Sequence, residues 1–159
     1  MSKDSLSAIV RGKLDSIIGM PCAVRHVQEE YGCRTLLLGL AFGINNFSPN
    51  DVKHLEVEIG TFCNSWRIVK DDVILLGAND CRSNEDFDRL VEEIDFGKLL
   101  RIDMFNQFDV RVSFDSNVRI EFLCTQNDDE IFHVFLPGNL VVEYSAAGWK
   151  IGLSDHPWH

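Results

Sequence analysis

The sequence is poor in the features that announce a membrane, a disulfide frame or a familiar enzyme. No run approaches the roughly 18 uninterrupted apolar residues of a membrane span, and the opening MSKDSLSAIVRGK lacks the basic-then-apolar order of a secretory signal. A cytoplasmic protein without membrane partners is expected. The five cysteines, Cys22, Cys33, Cys63, Cys81 and Cys124, are odd in number, widely spread and never spaced Cys-x-x-Cys, which fits reduced thiols better than a disulfide scaffold. Basic residues are also scarce. Fifteen Lys and Arg against 25 Asp and Glu give a net charge of -10 and a pI near 4.8, so the mean field of this surface repels a phosphate backbone and nucleic acid is not an expected partner.

Catalytic and metal motifs are missing as well. There is no Gly-x-Ser-x-Gly, no phosphate-binding lysine loop and no Gly-x-Gly-x-x-Gly. None of the five histidines, His26, His54, His133, His156 and His159, has an i, i+4 partner of the kind that binds metal on a helix face. His156 and His159 in the terminal HPWH read as a solvated pair. NDCRSNEDFDRL has the acids of a calcium loop without its central glycine. Cys81 precedes a helix start, a setting that lowers a thiol pKa, but Asp80, Glu85 and Asp86 oppose a thiolate. Adjacent acids such as Asp71-Asp72 and Glu92-Glu93 read as ordinary solvated groups. No cofactor, metal or catalytic residue is expected.

What the chain does have is apolar patterning. At 159 residues and 45% hydrophobic, it is long enough for one domain with a substantial core. Leu6, Ile9, Val10, Leu14, Ile17 and Ile18 share one helical face and predict a helix over Asp4 to Ile18, stopped by Gly19 and Pro21. Cys22 to Glu30 is a strand candidate with Tyr31-Gly32 as its corner, and RTLLLGLAF at 34–42 is a strand buried on both sides. After the loop GINNFSPND, KHLEVEIG alternates cleanly, with Glu56 and Glu58 outward. WRIVKDDVILL, 66–76, reads as a hairpin. Ser83 opens a capping box with Asp86, and Phe87, Leu90, Val91 and Ile94 give the apolar face of a second helix ending before Phe96-Gly97. LLRIDMF, DVRVSF and VRIEFL follow as strands joined by short links, the sign of an antiparallel meander. FHVFLPGNLVV, 132–142, repeats the outline of the earlier hairpin, and Trp149 to Leu153 supplies a last strand.

The two halves run in the same order: helix, strands, then an aromatic-led hairpin. This predicts an α+β protein, mainly antiparallel, as one globular domain over 1–159 with internal repeats at 4–78 and 83–145. A single helix-plus-meander unit has too little core to stand alone comfortably, so the units are expected to share one.

The strongest functional signal is clustered acid. Between Asp80 and Asp95 there are seven carboxylates, Asp80, Glu85, Asp86, Asp88, Glu92, Glu93 and Asp95, against Arg82 and Arg89, a net of -5. Asp128-Asp129-Glu130 forms a second acidic turn. One reading is a solvated helix with acids near its positive end; the other is a docking face for a cationic protein. Trp66, Phe47, Phe108 and Trp158 are candidate aromatic anchors.

WRIVKDDVILLGAND, followed by a Leu- and Ile-bearing helix and the paired strands of DVRVSFDSNVRIEF, resembles small acidic bacterial immunity-type proteins associated with polymorphic or contact-dependent toxins. The resemblance covers roughly Ser65 to Tyr144. It implies a compact, noncatalytic α+β domain that neutralises a basic toxin by occlusion. Two alternatives stand beside it: a small-ligand-binding or regulatory module with an apolar pocket between the sheets, and an unrecognised enzyme, which requires a cleft with a strongly shifted carboxyl, histidine or cysteine.

Overall fold

The computed structural model describes residues 7–30, 33–40, 57–61, 63, 65–80, 82–125 and 130–153. Among these the chain forms α1 (Ala8–Asp15), β1 (Cys22–Glu30), β2 (Cys33–Leu40), β3 (Val57–Thr61), β4 (Trp66–Lys70), β5 (Val73–Gly77), α2 (Asn84–Glu93), β6 (Leu99–Phe105), β7 (Asp109–Phe114), β8 (Val118–Phe122), β9 (Phe132–Leu136), β10 (Leu140–Ser145) and β11 (Gly148–Leu153). The fold is α+β, with two helices and antiparallel sheets.

Local chemistry sets the element ends. Ser7 caps α1 by accepting from Val10 N at 3.2 Å. This helix is shorter than its apolar spacing predicts, because after Asp15 the chain passes through turns to Gly19 at φ 90°, a conformation that favours glycine. Ser83 caps α2 through Asp86 N at 3.2 Å. At the β4–β5 corner both Asp71 and Asp72 have positive φ, 49° and 64°, the requirement of a two-residue turn that matches strand twist.

Topology is where the halves meet. The larger sheet has the order β1-β2-β3-β9-β10-β11 and the smaller one β5-β4-β8-β7-β6. Each half therefore donates its hairpin to the other half's meander. The joins match in register: Ile59 of β3 lies opposite Val134 of β9, and Ile120 of β8 lies opposite Ile68 of β4. The helices cross over too. Arg11 of α1 donates from Nη1 to the Ile102 carbonyl of β6 at 2.8 Å, while Asp88 of α2 accepts from Val27 N of β1 at 2.8 Å. Between them the two helix exits pair directly, with Leu99 N donating to the Met20 carbonyl and Cys22 N to the Gly97 carbonyl, both at 2.9 Å.

One hydrophobic core draws on both sheets and both helices. Trp66 and Phe132, which lead the two exchanged hairpins, are both buried in it. Trp66 meets Phe87 of α2 edge-on at 5.7 Å, and Phe132 meets Phe122 of β8 at 5.1 Å. The two sheets differ at their edges. The outer side of β10 is covered by β11, whereas β5 ends the smaller sheet and leaves Val73 and Ile74 exposed.

Candidate protein-binding face and a buried carboxylate cluster

The acidic segment folds around Arg34. Its guanidinium lies 4.5 Å over the Phe87 ring, and it donates to the carbonyls of Ala78, Asp80 and Arg82 and to Asn84 Oδ1. One cation thereby gathers the loop that leads into α2. A pocket of ≈ 400 Å³ opens beside it, with Glu29, Asp80 and Asn84 on its walls.

The seven acids divide by role. Asp80 accepts from Gly77 N at 3.1 Å, Asp88 from Val27 N at 2.8 Å and Asp95 from Gly97 N at 3.1 Å; these three serve the backbone. Glu85, Asp86 and Glu93 are exposed on the outer side of α2, opposite the buried Phe87 and Val91, while Glu92, also exposed, lies on the Asp88 side, 3.8 Å from His26 of β1. Arg89 lies between Asp86 at 3.4 Å and Glu93 at 3.7 Å. Arg25 and Arg34 also approach this region, but they bond mainly to carbonyl oxygens: Arg25 Nε donates to the Glu92 main chain at 3.1 Å. Counting both, the segment's net of -5 becomes -5 + 2 = -3, so the acid excess survives folding.

Three other arginines are held elsewhere. On the smaller sheet, buried Glu121 of β8 receives Arg67 Nε at 2.7 Å and Arg111 Nη2 at 3.4 Å, with Arg119 Nε at 3.7 Å. Cross-strand neighbours bring them together, since Arg67 and Arg111 both lie opposite Glu121. The Arg-x-Glu of β8, flanked by arginines on its partner strands, is the sequence signal that marks this glutamate.

A second polar constellation lies on the larger sheet. His133 of β9 is buried beside Glu143 of β10 and Gly60 of β3, its cross-strand partners. Its Nδ1 lies 2.9 Å from Glu130 Oε1, which makes that nitrogen the donor to a carboxylate. A Cβ at position 60 would lie 2.5 Å from the Leu36 carbonyl oxygen and 3.1 Å from His133 Nε2, so glycine is needed chiefly for the close approach of the β2 backbone. Glu58, expected to face outward, and Glu130, expected in a surface acidic turn, are instead only partly exposed and lie near His133. Desolvation raises the Glu58 carboxyl above its usual range, partly offset by His133. Desolvation also raises Glu143, reinforced by the charge of Glu130 and opposed by Lys150 and His133.

The raised carboxyl has a measurable sign. A native state that holds the Glu143 proton more tightly than the unfolded chain loses stability as pH rises from the ordinary value near 4.5 through the raised one. Glu143→Gln, neutral throughout and of similar shape, is expected to unfold at a higher temperature than the wild type at about pH 8. That advantage should fade towards about pH 4, where the acid is protonated in both states. Thermal unfolding across this range checks it; a pH-independent difference would remove the cause assigned to the shift.

Of the candidate anchors, Trp66 is buried and belongs to the core, while Phe108 is exposed in the β6–β7 turn. Phe47, His54, Glu56, Cys81, Asp128, Asp129, His156, Trp158 and His159 lie outside the described residues, as do the Tyr31-Gly32 corner and the GINNFSPND loop. Cys22, Cys33, Cys63 and Cys124 are not in disulfides. No helix among the described residues is long and apolar enough to cross a membrane.

These features define an antiparallel two-sheet α+β protein with an acidic helix on its surface. No family model, curated protein or solved structure matches the chain.

Proposed function

We propose that the chain is a noncatalytic protein-binding protein of immunity type, which docks a cationic toxin domain on the outward face of α2 and blocks it by occlusion. The observation that carries this reading is the acid excess of the α2 segment, which stays at -3 after Arg25 and Arg34 are counted, with Glu85, Asp86 and Glu93 on its exposed face. Acids in the first turn of a helix, such as Glu85 and Asp86, are favoured by its dipole, and a solvated helix explains them. Acids in the last turn are disfavoured by about 0.3–1 kcal/mol each. That turn of α2 contains no base; Arg89, 3.7 Å from Glu93, and His26, 3.8 Å from Glu92, offset part of this cost, and the acid excess that remains supports recognition of a cation.

The mechanism follows from charge and rigidity. The negative face speeds encounter with a basic surface and fixes its orientation. Backbone bonds from Asp80, Asp88 and Asp95 hold the helix and its flanks in place, so little ordering cost is left for binding. The neutralising reading and a cytoplasmic site of action draw on the resemblance of Ser65 to Tyr144 to immunity-type proteins.

The test is titration calorimetry with the basic product of a neighbouring toxin gene at about 0.01 M salt, where the Debye length is about 30 Å. Saturable binding that also abolishes the toxin's activity supports the reading. Absence of binding under these conditions, where charge-driven docking is strongest, rejects it.

A further inference from the structure

We propose that His26, Asp88 and Glu92 form a divalent transition-metal site that clamps α2 to the edge of the larger sheet, a role that goes beyond partner binding and does not depend on it. His26 projects from β1, and Asp88 and Glu92 project from α2 one turn apart. His26 Nδ1 lies 3.6 Å from Asp88 Oδ1 and 3.8 Å from Glu92 Oε1, and the three donor atoms all lie within 4.8 Å of one another. These separations are too long for hydrogen bonds. The groups nevertheless face one another, and at metal bonds of about 2.0–2.2 Å a small inward movement of partly exposed side chains would seat one ion among all three.

Neighbouring bonds orient the donors. Val27 N donates to Asp88 Oδ1 at 2.8 Å, leaving that carboxylate further lone pairs. Arg25 Nε holds the Glu92 main chain at 3.1 Å. The first bond, to a ligand carboxylate, is of the kind that fixes ligand geometry in metal sites; the second holds the last turn of α2 against β1. A cation here also relieves the mutual repulsion of two carboxylates and sits favourably near the negative end of the helix dipole. One imidazole with two carboxylates suits Zn²⁺, Co²⁺ or Ni²⁺ better than Mg²⁺ or Ca²⁺, and three protein ligands leave coordination positions for water. Sequence spacing hides the site, because its histidine and its carboxylates lie in different halves of the chain and meet only when α2 packs on β1.

The probe is Co²⁺, titrated into the full chain with His156→Asn and His159→Asn to remove the terminal pair. The expected result is one Co²⁺ per chain, weak visible bands of nitrogen and oxygen ligation, and a raised unfolding temperature, all reversed by EDTA. Adding His26→Asn or Glu92→Gln should each weaken binding by about 10–100-fold. Both variants keep the Val27 and Arg25 hydrogen bonds, which go to the Asp88 side chain and the Glu92 main chain, so both are expected to fold. No saturable binding at about millimolar Co²⁺, intense thiolate charge-transfer bands, or unchanged affinity in His26→Asn would each overturn the site; about millimolar is already weak for three convergent ligands.

Discussion

Trp66→Ala is expected to cost about 3–5 kcal/mol of folding stability, the range for emptying a buried aromatic site. Trp66 begins β4, is buried, and bridges three elements that are distant in sequence. Its ring meets Phe87 of α2 at 5.7 Å, and its Nε1 donates to the Arg34 carbonyl of β2 at 2.9 Å. Arg34 in turn covers the other side of this cluster by lying over Phe87. Trp66→Phe keeps an edge-on ring but deletes the donor, so a smaller loss of about 1–2 kcal/mol is expected. Urea unfolding of both variants separates packing from the hydrogen bond. A loss below about 1 kcal/mol for the alanine variant would show that the site collapses without penalty, contrary to its place in the core.

The second large effect concerns binding. Glu85→Lys with Glu93→Lys is expected to weaken affinity for the cationic partner by more than about tenfold near 0.01 M salt, with the difference shrinking as the Debye length falls to about 10 Å at 0.1 M. The choice of residues keeps folding out of the result. Neither carboxylate bonds the backbone; Glu85→Lys gives up a first-turn acid and Glu93→Lys the Arg89 pair, while Glu93→Lys puts a base in the last turn where the dipole favours it, so the net effect on stability is expected to stay within about 1 kcal/mol. Calorimetry at both salts, with thermal unfolding as control, reads the outcome. A folded double variant that binds as tightly as the wild type would place the interface elsewhere.

How far the sequence reached depends on the range of the interactions. β6 and β7 match LLRIDMF and DVRVSF residue for residue, because alternation and short links are local signals. The capping role of Ser83 was equally legible. α1 was overdrawn, since the apolar spacing of Ile17 and Ile18 continues into a turn that packs both without helix. The order of helices and strands was visible; the pairing of each hairpin with strands of the other half was not, as nothing in β4 states that it will pair with β8. The acids show the same limit. Glu58 alternates like a solvent-facing residue, and only the arrival of β9 brings His133 near it and leaves it half-buried. Asp88 and Glu92 were legible as an acidic helix, but not as neighbours of His26.

The exchanged hairpins bear on how the chain is made. β4 waits for β8, and β3 waits for β9, so a nascent chain that has emerged only through α2 carries two unfinished sheet edges and no partner for either. Contacts of such long sequence separation favour slow folding, and they defer assembly until most of the chain has left the ribosome. During that interval the strand edges are open to mispairing with other chains. Biogenesis is therefore a stage at which this molecule is exposed to aggregation.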